Sequence, residues 1–334
     1  MRIWIASIAY ASLAFFSPTS PGQSSSPEAG IGIGPITSSG QEPAKPAQIS
    51  VPAIRVDVHL VNVFVNVTDA KGAPVAGLTK ENFTLAEDGH GEKIAIFDRE
   101  SSVPLSIVLA IDTSGTVHKD MSIEEHAARE FIHALLRPAD QLDLMEFSSE
   151  VREVVPFTNN LHQLDNGLDR LRGGPATALY DTIFLASQSL AGHPGCKVLV
   201  LISDGDDTVK GVDYSKALEQ ALRSEVLVYS IIDVPIEADA GRDTGGEHAL
   251  ITLSEETGGK HYYAESTQLE KAFQQVSEDL RTQYLLGYYP SRHTSSPDFR
   301  TISVSLTGVP GSGDYSVRHR TGYYPLSERP GTRN

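Results

Sequence analysis

The sequence predicts an α/β fold: a doubly wound, mostly parallel sheet with helices on both faces, flanked by a smaller β-sandwich-like domain. Leu105 to Ile111 and Lys197 to Ser203 are almost continuous apolar runs, the pattern of strands that are covered on both faces. Strand patterns alternate with helix patterns through residues 102–282, as in a doubly wound domain. The flanking segments 53–101 and 283–325 instead contain patterns of half-buried β strands.

The two flanking segments are expected to form one sandwich together. In the first, valines at alternate positions from Val61 to Val67 indicate a strand. Two more strands are expected at 83–86 and 93–97, with a hairpin turn at Asp88-Gly89 between them. Three strands are too few for a free-standing sandwich, so we expect strands of the second segment to complete it. Those strand patterns lie at 284–289, 302–306 and 315–319.

Hydrophobic periodicity gives the elements of the α/β domain. Ala128, Phe131, Ile132 and Leu135 fall at i, i+3, i+4 and i+7, which predicts an amphipathic helix. A polar loop is expected between the end of the strand at 226–232 and Gly246. The expected order is a strand from 105, a helix at 118–136, strands at 142–147 and 151–157 (the latter at an edge), helices at 161–171 and 179–190, a strand at 197–203, a helix at 214–222, a strand at 226–232, a helix at 249–256, a strand at 261–264 and a helix at 269–280.

The N-terminus has the pattern of a secretory signal peptide. Arg2 precedes an apolar, uncharged run from Ile3 to Phe16, and Ser, Pro and Gly then break it. The run is shorter than the ~20 residues that a membrane-spanning helix needs. We therefore expect a signal peptide at 1–22, a disordered linker at 23–52 that is rich in Ser, Pro and Gly, and a short tail at 326–334. The mature protein is expected outside the cytoplasm, periplasmic or secreted, without an integral membrane span.

Charge and cysteine content restrict the partners and the chemistry. The formal net charge of −16 argues against nucleic acid and against an anionic membrane surface as partners. Cys196 is the single cysteine, which rules out a disulfide framework within the chain. A stable fold must therefore come from its hydrophobic core.

Oxygen-bearing side chains follow the apolar strands. Asp112, Ser114 and Thr116 occupy alternate positions at the end of the first strand, and Asp204 follows the second. Thr177 comes after a pair of glycines and before a predicted helix. Taken alone, the Ser and Thr residues could be helix caps. Because ligands bind at the carboxyl ends of parallel strands, however, these five side chains are expected to converge at one edge of the sheet.

The donor types indicate which cation such a site would prefer. Hydroxyls and carboxylates without a nearby Cys or His suit Mg²⁺, or Ca²⁺ and Mn²⁺, rather than zinc. Asp204-x-Asp206-x-Thr208 resembles the start of an EF-hand loop, but Val209 stands where that loop requires Gly and Ser215 where it requires Glu. Asp206 and Asp207 are expected to be solvated. The sequence therefore predicts a site for a hard divalent cation.

Two longer motifs make the pattern specific. With the Asp112 motif, G-G-P-A-T-A-L-Y-D at 173–181 and S-D-G-D-D-T at 203–208 resemble a von Willebrand factor A domain with its metal-ion-dependent adhesion site. The resemblance covers roughly Val103 to Arg281, and it extends to exported bacterial proteins in which the A domain lies between β segments. It implies a Rossmann-like sheet for this part of the chain.

The resemblance also implies roles for the site residues. Ser114 and Thr116 would be direct metal ligands, Thr177 would be direct in one conformation, and Asp112 and Asp204 would act directly or through water. One coordination position would be left for a carboxylate of a partner. Thr116 departs from the family, which usually has Ser there, and its extra methyl group crowds the site.

The leading hypothesis is an exported, non-enzymatic adhesion module that captures an acidic group of a partner protein through a divalent cation. One alternative is a metal-assisted hydrolase, for which His118 or an additional Asp would be the general base. Another is a structural module of an envelope assembly. The sequence lacks the G-x-x-x-x-G-K-[ST] loop of nucleotide hydrolases and the H-E-x-x-H zinc motif, which favours the non-enzymatic reading.

Overall fold

The computed structural model describes residues 59–99, 103–115, 121–233, 244–265, 268–292 and 296–325. The expected signal peptide, linker and C-terminal tail lie outside these ranges and stay predictions. Within them, no helix is both long and apolar enough to cross a bilayer.

In the α/β part the described residues form strands and helices in the alternating order that the sequence predicts. In the flanking segments, the short strands His90–Glu92 and Gly322–Tyr323 were not expected, and the hairpin turn at Asp88-Gly89 leads into the first of them and not into the strand expected at 93–97. The strands are β1 (Val61–Thr68), β2 (Phe83–Glu87), β3 (His90–Glu92), β4 (Ile94–Asp98), β5 (Leu105–Asp112), β6 (Gln141–Phe147), β7 (Val151–Thr158), β8 (Cys196–Ser203), β9 (Val226–Ile232), β10 (His261–Tyr263), β11 (Tyr284–Tyr288), β12 (Arg300–Leu306), β13 (Ser316–Arg318) and β14 (Gly322–Tyr323). The helices are α1 (Met121–Leu135), α2 (Leu161–Leu168), α3 (Leu179–Ala191), α4 (Tyr214–Arg223), α5 (Thr244–Thr257) and α6 (Leu269–Arg281).

A six-stranded sheet in the order β10-β9-β8-β5-β6-β7 forms the centre of the α/β part. Its strands are parallel except β7, which runs antiparallel to β6 at the edge. All eight residues of β5 are buried, because α1, α2 and α6 cover one face of the sheet and α3, α4 and α5 cover the other. The predicted doubly wound fold is confirmed, and so is the edge position of β7.

The flanking segments form two four-stranded sheets, β13-β1-β11-β4 and β14-β12-β2-β3. β1 from the N-terminal segment pairs antiparallel with β11 from the C-terminal segment, with Val63 opposite Leu286. Val63, Val65, Leu286 and Tyr288 are fully buried in the core that these strands share. The expected pairing of the two flanking segments is therefore confirmed.

A buried carboxylate, Glu87, forms an ion pair with Arg300 within one sheet of this β part and a hydrogen bond to Tyr288 of the other sheet. Arg300 Nη1 donates to Glu87 Oε1 at 2.7 Å, and the hydroxyls of Tyr288 and Tyr323 donate to Glu87 Oε2 at 2.6 and 2.9 Å. Three donors thus satisfy the buried carboxylate, as burial of a charge requires. Burial raises the pKa of both tyrosines, so they remain hydroxyl donors.

The start of α5 corrects one prediction. The polar loop expected up to Gly246 is wrong, because α5 already begins at Thr244. Two glycines in its first turn are unfavourable for a helix by intrinsic propensity. A Cβ atom on Gly246 would lie 1.9 Å from the carbonyl oxygen of Gly205. Close backbone packing, which composition does not reveal, therefore explains glycine in this turn.

Two other helix boundaries differ from the expected ones. α1 starts at Met121 in the described residues, where a start at 118 was expected, and residues 116–120 lie outside the description. α2 ends at Leu168, three residues before the expected end, with Asp169 as its C-cap. Neither difference changes the order of the elements.

Asp143 is an acidic residue that is buried inside the α/β part. It lies on β6 with no exposed surface, and its Oδ1 atom has no hydrogen-bond partner within the described ranges. Ser189 Oγ on α3 donates to its Oδ2 at 3.4 Å. Burial, followed by the neighbouring carboxyl group of Glu153, raises the pKa of Asp143 to about 7.

The raised pKa of Asp143 predicts a pH-dependent stability. Between about pH 4 and 7 the folded protein holds a proton that the unfolded chain has lost, so the free energy of unfolding falls as the pH rises. Asp143→Asn removes this contribution. From pH 5 to 8, urea denaturation should show the wild type losing about 2 to 3 kcal/mol relative to the variant. Asp314→Asn, at an exposed carboxylate, is the control, and equal slopes for Asp143→Asn and wild type would contradict the assignment.

Candidate metal centre

The site begins at the carboxyl ends of β5 and β8, which are neighbouring parallel strands. Ile111 lies opposite Ile202 in their register, so Asp112 and Ser203 end the two strands side by side. Ser203 Oγ donates to Asp112 Oδ2 at 2.8 Å, and the main-chain N–H of Ser114 donates to Asp112 Oδ1 at 2.9 Å. Asp112 has no exposed surface, and these two hydrogen bonds fix the orientation of its carboxylate.

The glycine-rich loop before α3 packs against the end of β5. Ser114 forms a parallel β-bridge with Gly174, whose N–H donates to the carbonyl oxygen of Thr113 at 3.0 Å. A Cβ atom at Gly174 would lie 2.3 Å from Ser148 Oγ, so a larger residue would push the loop away. Glycine at this position therefore allows the loop to approach Ser114.

Thr177 joins the same loop to the segment after β8. Its N–H donates to Thr208 Oγ1 at 2.8 Å, and its carbonyl oxygen accepts from the N–H groups of Thr208 and Val209 at 2.9 and 3.1 Å. Only 3% of Thr177 is exposed. The three loops that carry the candidate residues are thus joined by main-chain hydrogen bonds.

The Asp204 loop is held by α5. Gly205 has a φ of +97°, a conformation that favours glycine. Its N–H donates to Ser203 Oγ at 3.1 Å, and its backbone packs against Gly246. Asp204 itself is half-buried, with its Oδ1 accepting from the N–H of Asp206 at 3.1 Å.

Asp207 differs from the expectation that it is solvated. Its Oδ1 accepts from the N–H of Tyr180 at 3.3 Å, in the first turn of α3. Burial raises its pKa, the hydrogen bonds from Tyr180 and Leu179 oppose that rise, and Asp181 adds to it. Asp207 thus supplies an acceptor to the N-terminus of α3, which helps to position Thr177 just before it.

The electrostatics of Asp112 reflect its burial. Burial raises its pKa to about 6, the hydrogen bonds from Ser114 and Ser203 oppose this rise, and the charge of Asp204 adds to it. Two carboxylates that repel each other in a buried place are stabilised by a positive charge between them.

The structure brings together four of the five candidate residues: Asp112, Ser114, Thr177 and Asp204. Thr116 lies outside the described residues, and so does His118. Two carboxylates and two hydroxyls fit a hard divalent cation. No group of three or more His, Cys, Asp or Glu side chains in the described ranges could hold a metal, so the hydroxyls would be essential to any such site here.

Sequence reasoning missed the role of Ser203. It ends a long apolar run, so periodicity assigns it to the strand and nothing more. The signal lies in its place directly before Asp204 in the S-D-G-D-D-T motif. A hydroxyl there reaches the carboxylate at the end of the neighbouring strand.

A groove of about 350 Å³ opens beside Thr177. Ala178 and Val209, which flank the Thr177 loop, belong to its wall together with Leu185 on α3. Leu185 is 43% exposed, an unusual exposure for a leucine in a helix that packs on a sheet. Apolar surface is therefore available next to the candidate metal ligands.

The family comparison agrees with this geometry. Residues 107–206 match the model of the von Willebrand factor type A domain. The chain contains a von Willebrand factor type A domain. Domains of this family mediate protein–protein interactions, and the match includes Asp112, Ser114, Thr177 and Asp204.

One curated relative is similar to part of this chain. Inter-alpha-trypsin inhibitor heavy chain H4 of Bos taurus is 25% identical over 233 residues, which are 63% of this chain and 24% of that protein. The chain thus matches about a quarter of the length of this relative.

Two solved structures are similar to about half of this chain. BatB of Bacteroides thetaiotaomicron has 16% identity and a TM-score of 0.42, covering 53% of this chain and 100% of that one. The vWF domain of the type V pili tip protein Mfa5 of Porphyromonas gingivalis has 13% identity and a TM-score of 0.43, covering 53% and 95%. With both TM-scores below 0.5, neither likeness says anything about the function of this chain.

The bonds of Ser203 predict a cost for its removal. Ser203→Ala leaves Asp112 Oδ2 and the N–H of Gly205 without a partner that they have in the wild type. The free energy of unfolding, measured by urea denaturation in EDTA, should fall by about 1 to 3 kcal/mol. Ser303→Ala on the exposed side of β12 is the control and should change it by no more than about 0.5 kcal/mol. A neutral Ser203→Ala would show that this hydroxyl does not hold the loops.

Proposed function

We propose that this chain is an exported protein-binding module that captures an acidic group of a partner protein through a divalent cation, Mg²⁺ or else Ca²⁺ or Mn²⁺. The observation that carries the proposal is the joining of three loops at the ends of β5 and β8, which gathers two carboxylates and two hydroxyls. When bound, the cation would supply positive charge for a partner's carboxylate. Asp112, Ser114, Thr177 and Asp204 would hold it, with Thr116 as the fifth donor.

The fixed orientation of Asp112 supports this function. Its two oxygens accept hydrogen bonds from Ser114 and Ser203, so its negative charge is held in place without being neutralised. Asp204 adds a second negative charge nearby. Carboxylates held in this way attract a cation, while the neutral hydroxyls of Ser114 and Thr177 add ligand oxygens without adding charge. The cation would then keep net positive charge toward an incoming acid.

The surroundings of the site favour binding over catalysis. A hydrolase would need a general base beside the cation, and the described residues that form the three loops include no histidine. The groove beside Thr177 instead presents the exposed Leu185. Side chains next to the partner's acidic residue could contact this apolar surface, which would add to affinity and specificity.

Placement outside the cytoplasm is part of the proposal. It rests on the basic residue, the short apolar run and the Ser/Pro/Gly-rich flank at the N-terminus. A partner met there would be an exposed protein surface or a subunit of an envelope assembly. N-terminal sequencing of the exported protein tests this part.

The hydroxyl of Thr177 provides a sharp test of metal binding. Thr177→Val keeps the shape of the side chain but removes its oxygen, whereas Thr177→Ser keeps the oxygen. Calorimetric titration with Mg²⁺ and Mn²⁺ should show an affinity reduced at least about tenfold for the Val variant and nearly unchanged for the Ser variant. Wild-type protein that binds neither cation, nor Ca²⁺, would contradict the metal proposal.

Partner chemistry can be tested without knowing the partner. A random peptide library displayed on phage is selected against the protein in Mg²⁺, and the selected peptides are expected to share an Asp or Glu. Their binding should be lost in EDTA, on changing that residue to Asn or Gln, and in Asp112→Asn.

The control for this selection is Asp314→Asn, which removes an exposed carboxylate from the β part and should bind like the wild type. Metal-dependent peptides without any common acid would contradict carboxylate capture. Metal-dependent hydrolysis of an ester or phosphate panel, lost in Asp112→Asn, would favour the enzymatic alternative.

A further inference from the structure

A small cavity lies where the β part meets the A domain, away from the candidate metal centre. It has a volume of about 30 Å³ and is bordered by Asn62 of β1, Lys197 at the start of β8, Glu225 before β9 and Arg320 between β13 and β14. The parallel strands begin at this edge of the sheet and end at the edge that carries Asp112. The cavity is therefore a separate feature of the molecule.

Arg320, which borders this cavity, carries unsatisfied hydrogen-bond donors. Only 5% of the residue is exposed. Its Nη2 donates to the carbonyl oxygen of Asn62 at 2.8 Å and lies 3.0 Å from Glu225 Oε1. Its Nε and Nη1 atoms are buried and have no hydrogen-bond partner anywhere in the described part of the chain. A guanidinium group stays charged in proteins, and buried donors without acceptors are strongly unfavourable.

The charges around the cavity leave an excess of positive charge. Lys197 and Arg320 are cationic, whereas Glu225 is the one carboxylate among the residues that border it. Lys197 Nζ donates to the carbonyl oxygen of Ser224 at 3.0 Å, a neutral acceptor. Glu225 is held in a left-handed conformation with a φ of +58°, which is uncommon for a residue with a long side chain. Its carboxylate is engaged by Arg320 Nη2, away from Nε and Nη1.

We propose that this cavity binds a small monovalent anion, chloride under ordinary conditions, through the N–H groups of Arg320 Nε and Nη1. A water molecule would satisfy the donors but would not compensate the excess positive charge of Lys197 and Arg320 over Glu225. Sulfate and phosphate are too large for a cavity with room for little more than one water molecule. A halide ion fits both the charge and the size.

The anion would join the two parts of the molecule. Arg320 belongs to the β part, while Lys197 and Glu225 belong to the A domain. An ion that binds the folded protein and not the unfolded chain raises its stability with concentration. Chloride would therefore stabilise the attachment of the β part to the A domain.

Thermal unfolding in EDTA tests the proposal, because EDTA removes any contribution from the candidate metal centre. Sodium chloride and sodium bromide are compared with sodium gluconate, whose anion is too large, at equal ionic strength. Chloride and bromide should raise the melting temperature by about 2 to 4 °C, reaching a plateau, and gluconate should not.

Two variants separate the site from general stability. Arg320→Gln should abolish the halide response, whatever its own melting temperature. Arg281→Gln removes another largely buried arginine, paired with Asp140, and should lower the melting temperature while retaining the response. Equal melting temperatures in chloride and gluconate, or a response that persists in Arg320→Gln, would overturn the proposal.

Crystals grown in sodium bromide give a direct readout. An anomalous peak within hydrogen-bond reach of Arg320 Nε and Nη1 would support the anion site. A water molecule at that position, with no anomalous signal, would overturn it.

Discussion

The carboxylate of Asp279 ties the β part to the A domain, and the arrangement of both depends on it. It lies near the end of α6, accepts a hydrogen bond from the hydroxyl of Tyr229 at 3.2 Å and forms an ion pair with Arg318 of β13. Its main-chain carbonyl oxygen accepts from Asn66 Nδ2 of β1 at 2.9 Å. One residue thus contacts the central sheet and both flanking segments. A buried carboxylate with several donors is stable where it is, and removing a partner would leave an uncompensated charge.

This attachment places the β part at one edge of the A domain. The contacts with β1 and β13 are made at the end of α6 and beside the starts of β8 and β9, where the parallel strands begin. The opposite edge, where Asp112 and Ser203 end β5 and β8, carries the candidate metal centre. Within the described residues, the β part therefore packs at the edge where the parallel strands begin, opposite the edge that carries Asp112.

The positions of the strand ends and the hydrophobic periodicity were enough to predict the fold. They also predicted four site residues that lie within the described part of the chain. Asp112 and Asp204 follow apolar runs, so their meeting at one edge follows from a parallel sheet. The pairing of β1 with β11 followed from the shortage of strands in either segment alone. Ser203, Asp207 and Arg320 could not be found in this way, because their roles depend on partners 91, 27 and 258 residues away. The pattern of residues around a position indicates its local secondary structure. It contains little information about partners that lie so far away along the chain.

The early start of α5 likewise depends on a contact with a residue that is distant in sequence, and it affects the candidate metal centre. Gly205 and Gly246 are close enough that a Cβ atom on either would collide with the other's backbone. The loop that carries Asp204 is therefore positioned by the first turn of α5, and Glu247 in that turn receives a hydrogen bond from the hydroxyl of Tyr263 on β10. The first two loops are joined by the hydrogen bond from the N–H of Gly174 to the carbonyl oxygen of Thr113. The third loop is held by hydrogen bonds to Thr177 and by the packing of Gly205 against Gly246. The candidate metal centre therefore depends on residues that would not bind the metal themselves. Gly205 and Gly246 are needed to position its loops, as its oxygen donors are needed to hold a cation.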